Sequence, residues 1–128
     1  MRTLLIGLLA AGLLSSPLTP AHDADEPEYK VQGKASYYAS RFHGRRTASG
    51  EAYNQYALTA AHPYLAFDSL VCVTNLRNGR TTTVRINDRG PYIGGRIIDV
   101  SRRAAEELGM VRVGITRVEI TLCDTPES

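Results

Sequence analysis

Two β-branched runs, residues 70–74 and 81–86, are joined by a polar connection containing Asn78-Gly79, a dipeptide suited to a tight hairpin turn. That pattern commits the middle of the chain to antiparallel strands. The other apolar segments are just as short. GKASYYAS (33–40) sets Ala35 and Tyr37 on one side and Ser36 and Tyr38 on the other, and YALTAA (56–61) ends at His62-Pro63. Residues 115–123 alternate, with Val118, Ile120 and Leu122 on one face. Only Arg102–Leu108 carries a helical stripe (Ala104, Ala105, Leu108), with Ser101 placed to cap it and Gly109 to stop it. Short strands, long loops and one short helix are expected to form a mainly β fold, a small barrel rather than a doubly wound sheet.

The 128 residues divide unevenly. Arg2, the apolar residues 4–14 and the small residues around Thr19-Pro20-Ala21 read as a secretory signal over 1–21; the apolar run falls short of the roughly 18 to 20 residues of a membrane span. Residues 22–32 are polar and acidic and contain Pro27, which suggests a flexible leader, and 124–128 suggest a flexible tail. One domain, 33–123, remains, with enough residues for a single core. The formal charge of +2 conceals acidic flanks: from Gly33 to Cys123 there are 13 basic and 7 acidic residues, or +6. Twelve of those bases are arginines, which suit carboxylates and phosphates through forked contacts. With an export signal, this favours an anionic extracellular polymer over nucleic acid. Cys72 and Cys123 each fall on the face opposite the apolar residues of their strand, so a disulfide stapling neighbouring strands, the first with the last, is expected; two separate thiols are the alternative.

The motifs that carry chemistry narrow to carboxylates. GPYIGG (90–95) lacks the lysine and long helix of a phosphate loop, His22, His43 and His62 lack metal-ligand spacing, and no GxSxG elbow presents a serine. No metal or cofactor is expected. Within the domain Glu51, Asp68, Asp88 and Asp99 are placed to act, each with a plain alternative as a turn cap or an ion-pair partner of Arg85, Arg89 or Arg96. The stretch VRINDRGPYIGGRIIDVS (84–101) separates two of them. Asp88 stands at a polar strand end beside a glycine-rich turn open to a polymer, whereas Asp99 lies among Ile97, Ile98 and Val100 and is expected to be structural. Tyr37 and Tyr38 form either a sugar-stacking platform or half-buried strand positions.

GKASYYAS, HGRRTASGE, ALTAAHPYL, VTNLRNGR, RINDRGPY and GRIIDVS, in that order, resemble the RlpA-like (rare lipoprotein A) family of septal-ring lytic transglycosylases from about Gly33 to Leu122. The resemblance implies a six-stranded double-psi β-barrel with one or two short helices, shared with expansins and barwin-type proteins. It implies peptidoglycan glycan strands as substrate, preferably stripped of peptide. Asp88 matches the family's catalytic aspartate, and Glu51 and His62 match its further catalytic positions. Tyr37, Tyr38, Arg89 and Tyr92 are the accompanying substrate-binding candidates. The sequence departs from many members in having no lipobox cysteine and no SPOR domain, so no stable membrane anchor is expected. With the secretory signal, a periplasmic or extracellular location is expected, and the protein is expected to be a monomer.

Lytic transglycosylases cleave the bond between N-acetylmuramic acid and N-acetylglucosamine without water, the muramyl 6-hydroxyl closing on its own anomeric carbon. A single carboxyl group can serve as acid and then as base, so the paired carboxylates of ordinary glycosidases are not required. Two other readings fit the residues: an expansin-like module that binds wall glycan without cleaving it, and a secreted structural or inhibitor protein.

Overall fold

The structure is a computed structural model that describes residues 28–123. Six strands and one helix follow in the order β1 (Lys30–Tyr37), β2 (Thr59–Ala61), β3 (Leu70–Asn75), β4 (Thr81–Asp88), β5 (Arg96–Val100), α1 (Arg102–Leu108) and β6 (Thr116–Leu122), with a 3₁₀ turn at Ser40–Phe42. The sheet closes on itself in the order β1-β5-β2-β4-β3-β6. β1·β5 and β2·β4 run parallel and the other pairs antiparallel. This is the mainly β six-stranded barrel expected from the sequence, in the mixed arrangement of a double-psi barrel.

Alternation fills the interior. Val71 and Val73 of β3, Val84 and Ile86 of β4, Ile98 and Val100 of β5, and Val118 and Ile120 of β6 all point inward and are buried. α1 covers one end with Ala104, Ala105 and Leu108. The Ser101 hydroxyl caps it, accepting from the Ala104 N–H and donating to the Ala57 carbonyl. Gly109 ends it at φ 67°, a left-handed conformation that a side chain would resist. Buried Asn75 ties this helix to the barrel: its Nδ2 donates to the Leu108 carbonyl, and its Oδ1 accepts from Thr116 Oγ1 and the Arg77 N–H.

The expected disulfide joins Cys72 to Cys123, with Cα atoms 5.7 Å apart. It links β3, not the first strand, to the residue after β6. These strands are neighbours because β6 closes the barrel between β1 and β3. A second correction concerns the leader. Lys30, Val31 and Gln32 belong to β1 and pair with Thr121, Ile120 and Glu119 of β6, so residues with little apolar character of their own are recruited by a partner strand. The expected signal (1–21) and tail (124–128) lie outside the described residues. Among the described residues no helix is long and apolar enough to cross a membrane.

Candidate functional site

The barrel order places two acids on either side of one short strand. Ala61, the last residue of β2, pairs with Asp88 on β4 and with Asp99 on β5. Two strand spacings of about 4.8 Å separate those backbones by roughly 10 Å. Between Ala60 and Ala61 the register shifts, because Ala60 faces Ile86 while Ala61 faces Asp88. Asn87 is the extra residue, and a bulge of this kind re-aims the side chains that follow it. Asp88 and Asp99 thereby line one groove of about 590 Å³, walled also by Tyr38, Phe42, Tyr53 and the Arg45–Thr47 part of the preceding loop. That volume lies in the range typical of small-ligand sites.

Asp88 is held from three directions. Its Oδ1 accepts from the Ala48 N–H (2.8 Å) and the Arg89 N–H (2.9 Å), and its Oδ2 accepts from the Tyr38 hydroxyl (2.5 Å). The Tyr38 ring stacks on buried Tyr53, with centroids 4.4 Å apart and planes 16° from parallel. Burial pushes the Tyr38 phenol far above its ordinary value, and the Asp88 carboxylate beside it acts in the same direction. Tyr38 therefore stays protonated and serves as a donor. A carboxylate oxygen offers two lone pairs, so Oδ1 is fully engaged while Oδ2 keeps one free for a transferred proton.

Glu51 lies beside this groove, not in its lining. Arg85 grips its carboxylate through Nη1 (2.7 Å) and Nη2 (2.9 Å), and Asn87 Nδ2 donates to it at 3.1 Å. The Arg85 hydrogen bonds, followed by that from Asn87, hold the Glu51 carboxyl down to about 2. Arg85 also bonds Asp68 at 3.0 Å. Glu51 closes the loop that carries Ala48, since its carbonyl accepts from both the Thr47 N–H and the Thr47 hydroxyl.

His62 is buried and likewise engaged elsewhere. Its Nδ1 accepts from the N–H groups of Tyr64 (3.2 Å) and Leu65 (3.1 Å), which leaves the ring proton on Nε2, 3.4 Å from the Tyr29 hydroxyl. Burial, helped by the Arg89 guanidinium, holds the imidazole down to about 4, so it is neutral at pH 7. Its backbone N–H donates to the Asp88 carbonyl at 3.1 Å. Arg89 fixes the same turn, donating from Nη1 to the carbonyls of His62 and Leu65 and stacking over Phe67. The three sequence-predicted catalytic residues are thus neighbours in the fold, but only Asp88 presents its side chain to the groove.

The remaining candidates separate. Tyr38 and Arg89 line the groove. Tyr37 also borders it, yet its hydroxyl donates to the Val111 carbonyl and its body packs on the core. Tyr92 is 77% exposed on the glycine-rich turn, outside the groove lining. Asp99 accepts from the Ser36 hydroxyl (2.5 Å) and from Arg96 Nη2 (2.7 Å) while lying in the same groove as Asp88. Sequence reasoning does not single out Tyr53, Phe42, Arg45 or Arg46, whereas Arg96, one of the ion-pair partners it offers for the acids, pairs with Asp99. The basic loop at 41–50 signalled Arg45 and Arg46, whereas Tyr53 sits in irregular backbone with no periodicity to mark it. Among the described residues no cluster of three or more His, Cys, Asp or Glu side chains is arranged to hold a metal ion.

A family model described as lytic transglycolase matches residues 30–120. The endolytic peptidoglycan transglycosylase RlpA of Pasteurella multocida is 53% identical over 94 residues, covering 73% of this chain and 32% of that protein. Among solved structures, the Streptomyces papain inhibitor superposes with a TM-score of 0.60 at 23% identity, over 73% of this chain and 94% of its own. The apo expansin of Clavibacter michiganensis gives a TM-score of 0.60 at 20% identity, over 78% of this chain and 53% of its own. At such identities the structural likenesses show the fold alone. The chain spans about a third of the length of the curated relatives it matches.

Proposed function

The chain belongs to the lytic transglycolase family of double-psi β-barrel domains, and we propose that it is an endolytic peptidoglycan transglycosylase. It would cut between N-acetylmuramic acid and N-acetylglucosamine in peptide-stripped strands and leave 1,6-anhydro ends. The observation that carries this reading is the position of Asp88 in the groove, where Oδ1 is saturated by two backbone donors and Oδ2 retains a free lone pair.

The chemistry balances on that one oxygen. A proton on Asp88 Oδ2 passes to the glycosidic oxygen as its bond to the muramyl anomeric carbon breaks. The muramyl 6-hydroxyl oxygen then bonds that carbon, and its proton returns to Oδ2. Water takes no part, and the acid is regenerated in a single cycle. Tyr38 steadies Oδ2 throughout because its own proton is firmly held.

Glu51 and His62 act in this account as positioning residues. Glu51, through Arg85 and Asn87, fixes the loop whose Ala48 N–H reaches Asp88. His62 organises the turn that supports the Asp88 backbone. Export to the periplasm or cell exterior, and a role in cell division, belong to the same proposal. The disulfide suits an oxidising compartment, and the apolar segment 4–14 suits secretion.

The test is the Asp88→Asn protein on peptide-stripped glycan strands. Release of anhydro-ended fragments should stop while the fold and strand binding persist. Unchanged release by Asp88→Asn would reject the assignment, and strand binding by the wild-type protein without any product would favour an expansin-like module.

A further inference from the structure

Four arginines line the Asp88 groove, and two of them are committed. Arg89 donates to the carbonyls of His62 and Leu65 and lies over Phe67. Arg96 is paired with Asp99 at 2.7 Å. Arg45 and Arg46 differ. Both are exposed, and neither forms a salt bridge with a carboxylate among the described residues.

These two cations are nevertheless held in place. The Arg45 guanidinium stacks 5.0 Å from the centroid of the Phe42 ring, which carries no charge to satisfy it. Arg46 Nη1 donates to the Gly50 carbonyl at 2.7 Å, leaving its other donors free. Their backbones are pinned by the Tyr53 N–H donating to the Arg45 carbonyl and by the Arg46–Ala52 bridge. Arg46 is two residues, at most roughly 7 Å of chain, from Ala48, whose N–H binds Asp88. An uncompensated, preorganised pair of guanidinium groups therefore stands on the same loop that holds the reacting carboxyl.

A glycan strand offers one group that such a pair reads well. Each muramyl residue carries a 3-O-lactyl ether ending in a carboxyl. It is an anion when free and a neutral amide when a peptide is attached. Guanidinium forks match a carboxylate in shape and charge, and an amide supplies neither the charge nor the second anionic oxygen. We infer that Arg45 and Arg46 are the specificity-determining residues of the groove, binding the free lactyl carboxylate beside the scissile bond and so selecting strands without peptide. This inference rests on the transglycosylase reading of the same groove.

The test compares peptide-stripped strands with the same strands whose lactyl carboxyls have been converted to methylamides, for the wild-type protein and for Arg45→Gln/Arg46→Gln. Binding is read by co-sedimentation or anisotropy, and cleavage by fragment release. Wild-type protein should prefer the free carboxyl about tenfold or more in affinity and in kcat/KM, as loss of charge-assisted hydrogen bonds implies. The double variant should lose that preference, its ratio between free-carboxyl and methylamide strands falling to about one in both binding and kcat/KM, with its melting transition showing that it is folded. Arg45→Lys/Arg46→Lys should recover part of it. A double variant that keeps the full preference overturns the inference. If no strand is cleaved by any form, the transglycosylase reading fails, and the binding comparison still decides the role of the arginines.

Discussion

The Tyr38 hydroxyl donates to Asp88 Oδ2 at 2.5 Å, while the ring that carries it is stacked on buried Tyr53. One contact aligns the oxygen that keeps a free lone pair in the groove, and the other prevents Tyr38 from moving away. Tyr38→Phe keeps the stack and removes only the donor. It should lower kcat by about ten- to a hundredfold, in line with losing a hydrogen bond to a charged group, with little change in KM or melting temperature. Steady-state kinetics on peptide-stripped strands checks this; a KM effect alone would place Tyr38 in binding instead.

His62 should report on stability across mildly acidic pH. Its folded value is depressed to about 4 from an ordinary 6.5, so between those values the unfolded chain binds the extra proton. The contribution is fully present above 6.5 and is lost as pH falls toward 4, with a ceiling of about 3 kcal/mol. His62→Asn supplies an acceptor in place of Nδ1 and should flatten that decline in urea unfolding series. The same variant should retain measurable lytic activity, because His62 positions and does not carry the transferred proton. A properly folded but inert His62→Asn protein would contradict that role.

Glu51 acts at lower pH. Its carboxyl is depressed to about 2 from an ordinary 4.5, so the Arg85–Glu51 contact stabilises above 4.5 and is lost as pH falls through about 2. The pair is partly exposed, which screens it and keeps the effect modest. Glu51→Gln should shallow the acid limb of the stability curve between those values and reduce kcat at neutral pH by loosening the Ala48 loop. Matched unfolding and kinetic series test both halves.

The Cys72–Cys123 bond closes a separation of 51 residues and pins the strand that completes the barrel. Loop-closure entropy sets its contribution at about 4 kcal/mol. Cys72→Ser/Cys123→Ser should lower the urea midpoint and steepen the slope, because the unfolded chain without the cross-link exposes more surface. An unchanged midpoint would show that the barrel contacts alone hold β6.

The strands were legible where one face is buried, as in β3, β4 and β6, because alternation there is imposed by the core. The helix was legible from Ser101 and Gly109. Residues 30–32 were not, since their strand character comes from pairing with the neighbouring β6. In the site, Asp88 could be read from its turn. The bulge at Asn87 could not, because register is a property of two strands. His62 was recognisable as the end of a segment, but its burial arises from Tyr29 and the 62–65 turn folding over it. The apolar neighbours of Asp99 mark it as a scaffold position in the sequence, and in the fold it bonds Ser36 and Arg96. Its place in the Asp88 groove follows from Ala61 lying between two strands distant in sequence.

The account depends most on Asp88 driving an intramolecular closure without water. The direct measurement is digestion of peptide-stripped glycan strands in ¹⁸O-labelled water, followed by mass spectrometry of the new muramyl ends. The expected result is anhydro ends with no incorporated label, absent for Asp88→Asn. New reducing ends carrying one ¹⁸O would contradict it, showing hydrolysis and drawing Asp99 into the chemistry as a second carboxylate.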